Sequence, residues 1–437
     1  MTPTRVENAD TLGAAEALNR DCYCIAVNRA ALQSNLAAHL AGAGLPEALF
    51  DASSRLFADS PVFLGGQHLV EMARLIQAVE RVTHNPAYRD RMLATAPVPC
   101  REDFGPSGVF FGYDFHLGAE GPRLIEINTN AGGALLNLYL ASAQQSCCDA
   151  VINFFGGKRD FADAERELIA MFRAEWSSQV KDRALRTIAI VDDAPASQFL
   201  YPEFLLFQSL FERHGIEAVI VDPEDLAVRG SALYSGERRI DLVYNRLTDF
   251  YLAETRHATL RRAYEEGLVV LTPSPLHYAL YADKRNLPLL SDARWLKELG
   301  VADDDMETLG RLLPAAVAVT KDNATQLWAD RRQYVFKPVT GHGSRGVYRG
   351  AKMTTRVWNE IVQADYIAQA MVPPSERQLI IDGARQALKL DIRCVSYRGS
   401  IQQVSARLYQ GQTTNLRTEG GGLATVFSTP TGTCPCD

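Results

Sequence analysis

GVFFGYDFHLGAEGPRLIEIN, residues 108–128, constrains the fold of this chain more than any other stretch. Two apolar runs flank a Gly/Pro turn, which predicts a β-hairpin. Side chains alternate across a strand, so Leu124, Glu126 and Asn128 are expected on one face of the second run, with Ile125 and Ile127 on the other. With the turn centred near residue 120, Asp114 lies opposite Glu126. Two carboxylates facing each other across a ladder are destabilising unless something positive sits between them. Oxygens from Asp, Glu and Asn are hard ligands that suit Mg2+. Asp114, Glu126 and Asn128 are therefore the candidate metal set, and a solvent-facing acidic hairpin is the alternative. The next residues, NAGG, include Asn130, Gly132 and Gly133, whose backbone N–H groups can meet a substrate carboxylate or simply close a tight turn.

At 437 residues the chain is longer than one hydrophobic core usually serves, so roughly two to four structural units are expected. A hydrophobic content of 47% with 22% charged residues is that of a globular enzyme and argues against extensive disorder. The net charge of −7 disfavours nucleic acid as a partner. The start, MTPTRVENAD, lacks a secretory pattern, and no apolar run has the length of a membrane span, so a cytoplasmic (cytosolic) protein is expected. Eight cysteines in a chain this long do not form a disulfide framework. Cys22/Cys24 and Cys434/Cys436 are C-x-C pairs and Cys147/Cys148 are adjacent; no histidine cluster completes a zinc site, and they read as ordinary thiols.

The pattern divides the chain into four sections and predicts an α/β multidomain protein. Residues 1–104 read as a mainly helical region, with Leu69, Met72, Ile76, Val79 and Val82 forming a helical stripe. Residues 105–183 carry the hairpin and helices. Residues 184–283 alternate strands (RTIAIVDD, EAVIVDPEDL, RIDLVYNRL, LVVLTPSP) with the helix FLLFQSLFERHG, which predicts a doubly wound sheet. The first turn there lacks G-x-G-x-x-G, which argues against a dinucleotide site. Arg246, at a strand end, is a candidate for an acidic substrate group or for a structural ion pair. Residues 284–437 are rich in strands and glycine loops, and DDD at 303–305 reads as a solvated helix start.

In that last section, YVFKPVTGHGSRGVYRG places Gly341, Gly343 and Gly346 in G-x-G-x-x-G spacing. A Rossmann loop needs a helix afterwards, but VYRGAKM reads as strand. A kinase needs its lysine on a later strand, whereas Lys337 comes before the loop. What remains is strand, glycine loop, strand, a hairpin whose N–H groups, including that of Ser344, can hold phosphate oxygens while Lys337 supplies charge. An ordinary surface hairpin is the alternative. His342 within the loop reads as a phosphate neighbour.

Together these segments resemble the ATP-grasp enzymes. VFKPVTGHGSRGV resembles the phosphate-covering loop, and DYIAQAMVPP the segment whose backbone holds adenine, here near Gln369, Ala370 and Val372. ALKLDIRCVSYRG puts Asp391 and Arg393 in the family's D-x-R position, SARLYQGQ offers Arg407 for the γ-phosphate, and ADKRNLPLL offers Lys284 as the earlier ATP lysine. In most members the Glu-x-Asn motif follows these segments; here it precedes them, an order similar to the circularly permuted branch that includes the glutathionylspermidine synthases. The family's Asp twelve residues before the Glu matches Asp114. One departure stands out: Gly112 occupies the position of a family arginine, which shifts the expected transition-state charge to Arg393 and Arg407.

The resemblance implies a circularly permuted ATP-grasp fold with a Rossmann-like domain before the nucleotide-binding part. It also implies ATP and Mg2+, expected as two ions, and an ADP-forming carboxylate–amine ligase working through an acyl phosphate. The implied partners are a small carboxylic acid (an amino acid or peptide) and an amine, with no nucleic acid and no membrane. A phosphotransferase on the same fold and a nucleotide-binding module without turnover are the competing readings. Asn415 and Arg417, with Tyr409 and Thr413, surround a second glycine-rich loop that can border the substrate.

Overall fold

The computed structural model describes residues 10–22, 27–28, 30, 32, 34, 36–37, 56–58, 60–118, 120–143, 152–153, 161–341, 343, 345–381, 383–411 and 420–429. The expectations for Cys24, Cys147, Cys148, His342, Ser344, Thr413, Asn415, Arg417, Cys434 and Cys436 lie outside the described residues. Cys100 and Cys394 are buried thiols outside any disulfide.

The hairpin forms where its apolar runs and turn require. Strands Phe111–Gly118 and Gly121–Asn128 pair antiparallel, with Asp114 opposite Glu126 and Gly112 opposite Asn128. The first strand continues into a larger sheet, pairing with Ala384–Tyr397, which pairs with Ser400–Tyr409, then Gly422–Thr429, and finally, in parallel, Val62–Gly65. Along Ala384–Tyr397 the period of two is plain. Leu388, Leu390, Ile392 and Cys394 enter the core beside Tyr113, Phe115, Ala406 and Leu408, while Asp391 and Arg393 fall on the opposite face. Helix Gly66–Thr83 closes the apolar face with Met72, Leu75, Ile76, Val79 and Val82. Full burial of such side chains stabilises by about 1.5–3 kcal/mol each. The early residues are therefore part of the central core. Arg377, 1% exposed, ties helix Asp10–Asp21 to it by donating to the carbonyls of Leu18, Asn19 and Cys22 at that helix's end and to Pro61.

The alternation expected for LIEIN is broken. The hairpin register slips so that Asp114 faces Glu126 while Phe115 faces Leu124, which leaves Ile125 unpaired in a β-bulge. Leu124 therefore joins the core with Ile127, and Ile125 turns to the charged face. Two further expectations need correction. RIDLVYNRL is two strands: Arg238–Ile240 joins a small antiparallel sheet and Leu242–Asn245 a parallel one. Asp241 at the corner holds the change of direction by accepting from Arg183 and from the N–H groups of Arg186 and Thr187. DDD does begin helix Asp303–Leu312, but Asp305 is buried against Arg81.

The strands Val270–Thr272, Leu242–Asn245, Thr187–Val191 and Glu217–Val221 form an all-parallel sheet in that order, with helix Tyr201–Arg213 between the last two in sequence. Strand order reverses between Thr187–Val191 and Leu242–Asn245, and the crevice beyond their carboxyl ends holds the loop 130–133. Asn130 donates to the carbonyls of Asn245 and Leu247, and Arg246 donates to those of Asn130 and Ala131. A second small sheet, antiparallel, takes Ala316–Ala318, Tyr366–Ala370, Tyr334–Pro338 and Tyr348–Arg349 in that order. It packs around Phe336, Trp358, Ile361 and Ala368 and carries the glycine loop. Among the described residues no helix is long and apolar enough to cross a membrane.

His257, fully buried, lies between Asp249 (2.7 Å) and Asp193 (2.9 Å). Burial disfavours the imidazolium, but the two carboxylates outweigh it and hold the pKa above the ordinary value. A raised folded-state pKa gives stability that is complete below the unfolded value and lost as pH rises through the folded one. The melting temperature of the parent should therefore exceed that of His257→Asn most at pH 5.5–6, with the gap narrowing toward pH 9. A gap that widens with pH would refute this account.

Candidate active site

The charged face of the central sheet and the glycine-loop sheet form a solvent-open cleft of about 200 Å³. Three carboxylates line it, Asp114, Glu126 and Asp391, together with five cationic side chains, Lys284, Lys337, Arg345, Arg349 and Arg407. The excess of positive charge suits a polyanion.

Asp114 is the most constrained of these groups, 2% exposed. Arg393 grips it bidentately, Nε to Oδ1 and Nη2 to Oδ2, both at 2.7 Å. Arg407 reaches Oδ2 through Nη2 at 2.8 Å while its Nε holds Asp391 at 2.6 Å. Asn128 adds a bond to Oδ2 at 3.1 Å and a longer one to Glu126 at 3.4 Å. Register explains the convergence: Asp114 pairs with Arg393 across one ladder and Asp391 with Arg407 across the next. Burial alone would raise the Asp114 pKa, but the two guanidinium groups outweigh it and hold the carboxyl below its usual range; burial disfavours the Arg407 charge, but the Asp114 and Asp391 carboxylates outweigh it and raise the Arg407 pKa.

Lys337 enters from the strand before the glycine loop and donates to the carbonyl of Ile125 at 2.9 Å. That carbonyl belongs to the bulged residue, so the break in alternation also creates the acceptor. Burial, reinforced by Lys284 and opposed by Glu126, pushes the Lys337 pKa down to about 8. Glu126 is pushed up by burial, yet Lys284, Lys337 and Arg407 hold it below its ordinary value. Lys284 follows a π-helical turn, Tyr278–Ala282, a distortion frequent at functional sites. Its backbone N–H bonds Val339 and its Nζ bonds the carbonyl of Gly341, so it is fixed to the loop it faces. Gly346 has φ +69°, and a Cβ there would come within 3.0 Å of the Tyr366 hydroxyl, so the loop needs glycine at this point.

The predicted residues that the structure describes fall into three sets. Asp114, Glu126, Asn128, Lys284, Lys337, Gly341, Gly343, Val372, Asp391 and Arg407 line the one cleft. Gly346, Gln369, Ala370 and Arg393 are beside it without lining it: Gln369 is buried and points to the Leu124 carbonyl, and Arg393 sits behind Asp114. Asn130, Gly132, Gly133 and Arg246 lie in the parallel-sheet crevice. There the N–H groups of Gly133 and Leu135 donate to the buried carboxylate of Glu203. Arg246, 7% exposed, donates from Nη1 to the carbonyls of Asn130 and Ala131. Sequence reasoning missed His116, Arg345, Arg349 and Met371. His116, whose Nδ1 is 2.7 Å from the Val372 carbonyl, follows Asp114 by two and was legible from strand alternation. Arg345 lay within the glycine loop itself.

The donor set fits a hard divalent cation in kind, since carboxylate and carboxamide oxygens from two adjacent strands meet at the cleft wall. Among the described residues no group of three or more His, Cys, Asp or Glu side chains is arranged to hold a metal ion. The expected metal set, Asp114, Glu126 and Asn128, therefore has only two carboxylates, with Asn128 as its third member.

No protein-family model and no curated protein matches the chain. Solved structures do. A glutathione synthetase-like effector from Globodera pallida, in its apo form, aligns over 87% of this chain and 97% of its own, with a TM-score of 0.52 at 11% identity. A putative gamma-glutamylcysteine synthetase from Methylobacillus flagellatus aligns over 83% and 87%, with a TM-score of 0.46 at 11% identity. The ATP-grasp ligase PsnB, complexed with a minimal precursor, Mg and ADP, aligns over 57% and 90%, with a TM-score of 0.27 at 12% identity. At such identities the likeness concerns architecture alone: the chain shares the fold of the glutathione synthetase-like effector.

Gly112 gives Arg393 its room. A Cβ at this position would meet Ala131 Cβ at 2.8 Å and Arg393 Nε at 3.2 Å. Gly112→Ala should therefore destabilise the protein by about 1–3 kcal/mol through overpacking. Ala131→Gly in the same chain should recover part of that loss, a coupling read from denaturant melts of the single and double variants. An unchanged Gly112→Ala midpoint would remove the crowding account.

Proposed function

We propose that this protein is an ATP- and Mg2+-dependent carboxylate–amine ligase, ADP-forming, that makes an amide bond through an acyl phosphate. The observation that carries the reading is the single cleft in which Lys284, Lys337, Arg345, Arg349 and Arg407 surround Asp114, Glu126 and Asp391 beneath a glycine loop. The glutathione synthetase-like effector whose architecture the chain shares supports the reaction class. The acid would be an amino acid or small peptide.

In this reading the γ-phosphoryl group of ATP passes to a carboxylate oxygen of the acid and ADP leaves. The amine nitrogen then attacks the acyl carbon, inorganic phosphate departs with the C–O bonding pair, and the amine loses a proton. Lys284 and Lys337 hold the phosphate chain, and the 341–346 loop covers it and excludes water. Arg407, at the cleft wall and oriented by Asp391, stabilises the transferring group. Arg393 acts through Asp114, which it positions. The segment around Gln369, Ala370 and Val372 borders the base. Mg2+ would be held by Asp114, Glu126 and Asn128 and would neutralise charge on the phosphates. The chain order, hairpin before glycine loop, fits a circularly permuted ATP-grasp protein. Residues 184–283 fit its Rossmann-like domain, 105–183 and 284–437 its nucleotide-binding parts, and 1–104 a mainly helical N-terminal region that packs into the central core.

ATP, Mg2+ and a panel of amino acids, peptides and amines, with and without hydroxylamine, test the reading. ADP release with hydroxamate formation is expected; a phosphorylated product without hydroxamate would instead identify a phosphotransferase. Glu126→Gln should lower turnover about a hundredfold or more while leaving the melting temperature near the parent's. Equal losses in both would discard the metal assignment. Because Lys337 titrates at about 8, kcat/KM for ATP should fall above that pH as its charge is lost, and Lys337→Arg should carry the plateau higher. A parent profile flat to pH 9.5 would contradict this role for Lys337.

A further inference from the structure

We propose that Arg407 is an exchange residue: it keeps Asp114 closed to a divalent cation until a polyanion enters the cleft and takes its place. The inference rests on the nucleotide reading above, and its test separates the two. A carboxylate offers about four lone-pair directions. Asp114 accepts four hydrogen bonds, one on Oδ1 from Arg393 Nε and three on Oδ2 from Arg393 Nη2, Arg407 Nη2 and Asn128 Nδ2, so Oδ2 is the crowded oxygen. Two guanidinium charges also lie in contact with it. Metal alone meets an Oδ2 already crowded by three donors, and it meets positive charge beside it.

The two arginines are not equivalent. Arg393 sits behind Asp114, does not line the cleft, and spends both donors of its fork on this one carboxylate. Arg407 lines the cleft and bridges two carboxylates, Nε on Asp391 and Nη2 on Asp114. Its Nη2 can leave Asp114 for an anion in the cleft while Nε keeps the bond to Asp391, so the move is a swing about a retained anchor. It takes one of the three donors off Asp114 Oδ2 and removes one positive charge from beside it in the same event. An anion that draws Arg407 forward thus opens the cation site, and by linkage the cation strengthens the hold on the anion. Asp391 is a positioning residue for this exchange, and it keeps Arg407 at the cleft wall in both states.

Mn2+ binding, followed by electron paramagnetic resonance on the full chain, tests the exchange without turnover. The parent should bind Mn2+ at least tenfold more weakly without ADP than with it. Arg407→Met should bind Mn2+ without nucleotide at least tenfold more tightly than the parent, and the Arg407→Met, Asp114→Asn double variant should lose that gain. If Arg407→Met does not fold, Arg407→Lys, whose ammonium cannot span both carboxylates as a fork, serves in its place with the same direction of change. Equal nucleotide-free Mn2+ affinity in parent and variant overturns the proposal, as does a gain that survives Asp114→Asn. Failure of the parent to bind ADP, with the nucleotide-free gain present, would refute the nucleotide reading while supporting the closure of Asp114 by Arg407.

Discussion

The carboxylate of Asp114 held between Arg393 and Arg407 is the interaction on which the rest of the site depends. It joins three neighbouring strands through side chains as well as through their ladders. It also resolves the conflict that the hairpin creates, since Asp114 and Glu126 face each other and could not both stay ionised without neighbouring cations. Taking these charges out of water costs nearly as much as their attraction returns, so the network adds little net stability. What it supplies is geometry. Residue 112 has no side chain, and a Cβ there would crowd Arg393 Nε at 3.2 Å, so the glycine leaves Arg393 its room beside Asp114.

Much of this was legible in the residues because the signals were local. Hairpin pairing followed from two apolar runs and a turn, helix Gly66–Thr83 from its stripe, and the glycine-loop hairpin from the strand on either side. The bulge at Ile125 was not legible: nothing in LIEIN marks it, and it arises from how the two strands pair. Nor could strand alternation separate Arg393 from Arg407. Both fall on the charged face, and only the position of Asp114 between them puts one behind and one in front. The four-residue strand Val62–Gly65 was too short to give a period, and its partner lies more than three hundred residues away.

The parallel sheet illustrates the same limit. Strands and helix were readable, and a crevice at the reversal of strand order is where such sheets usually take ligands. Here the protein's own loop, residues 130–133, fills that place, pinned by Arg246 and by the Glu203 carboxylate at the start of helix Ala134–Ala143. The loop follows directly on Asn128, so the sheet's contribution to the cleft is indirect: it fixes the end of the strand that carries Glu126 and Asn128.

The central sheet draws its neighbours from opposite parts of the chain: Val62–Gly65 lies against Gly422–Thr429, and Phe111–Gly118 against Ala384–Tyr397. During synthesis the hairpin emerges with its apolar face complete but its sheet partner unmade for more than two hundred and fifty residues. Contacts so distant in sequence make folding slow, and they leave unpaired strand edges exposed to other chains meanwhile. The arginines that later neutralise Asp114 arrive with the same distant strands, so until then the hairpin carries two facing, uncompensated carboxylates. That repulsion would keep the unfinished edge soluble and resist premature pairing, a safeguard that disappears once the last strands arrive.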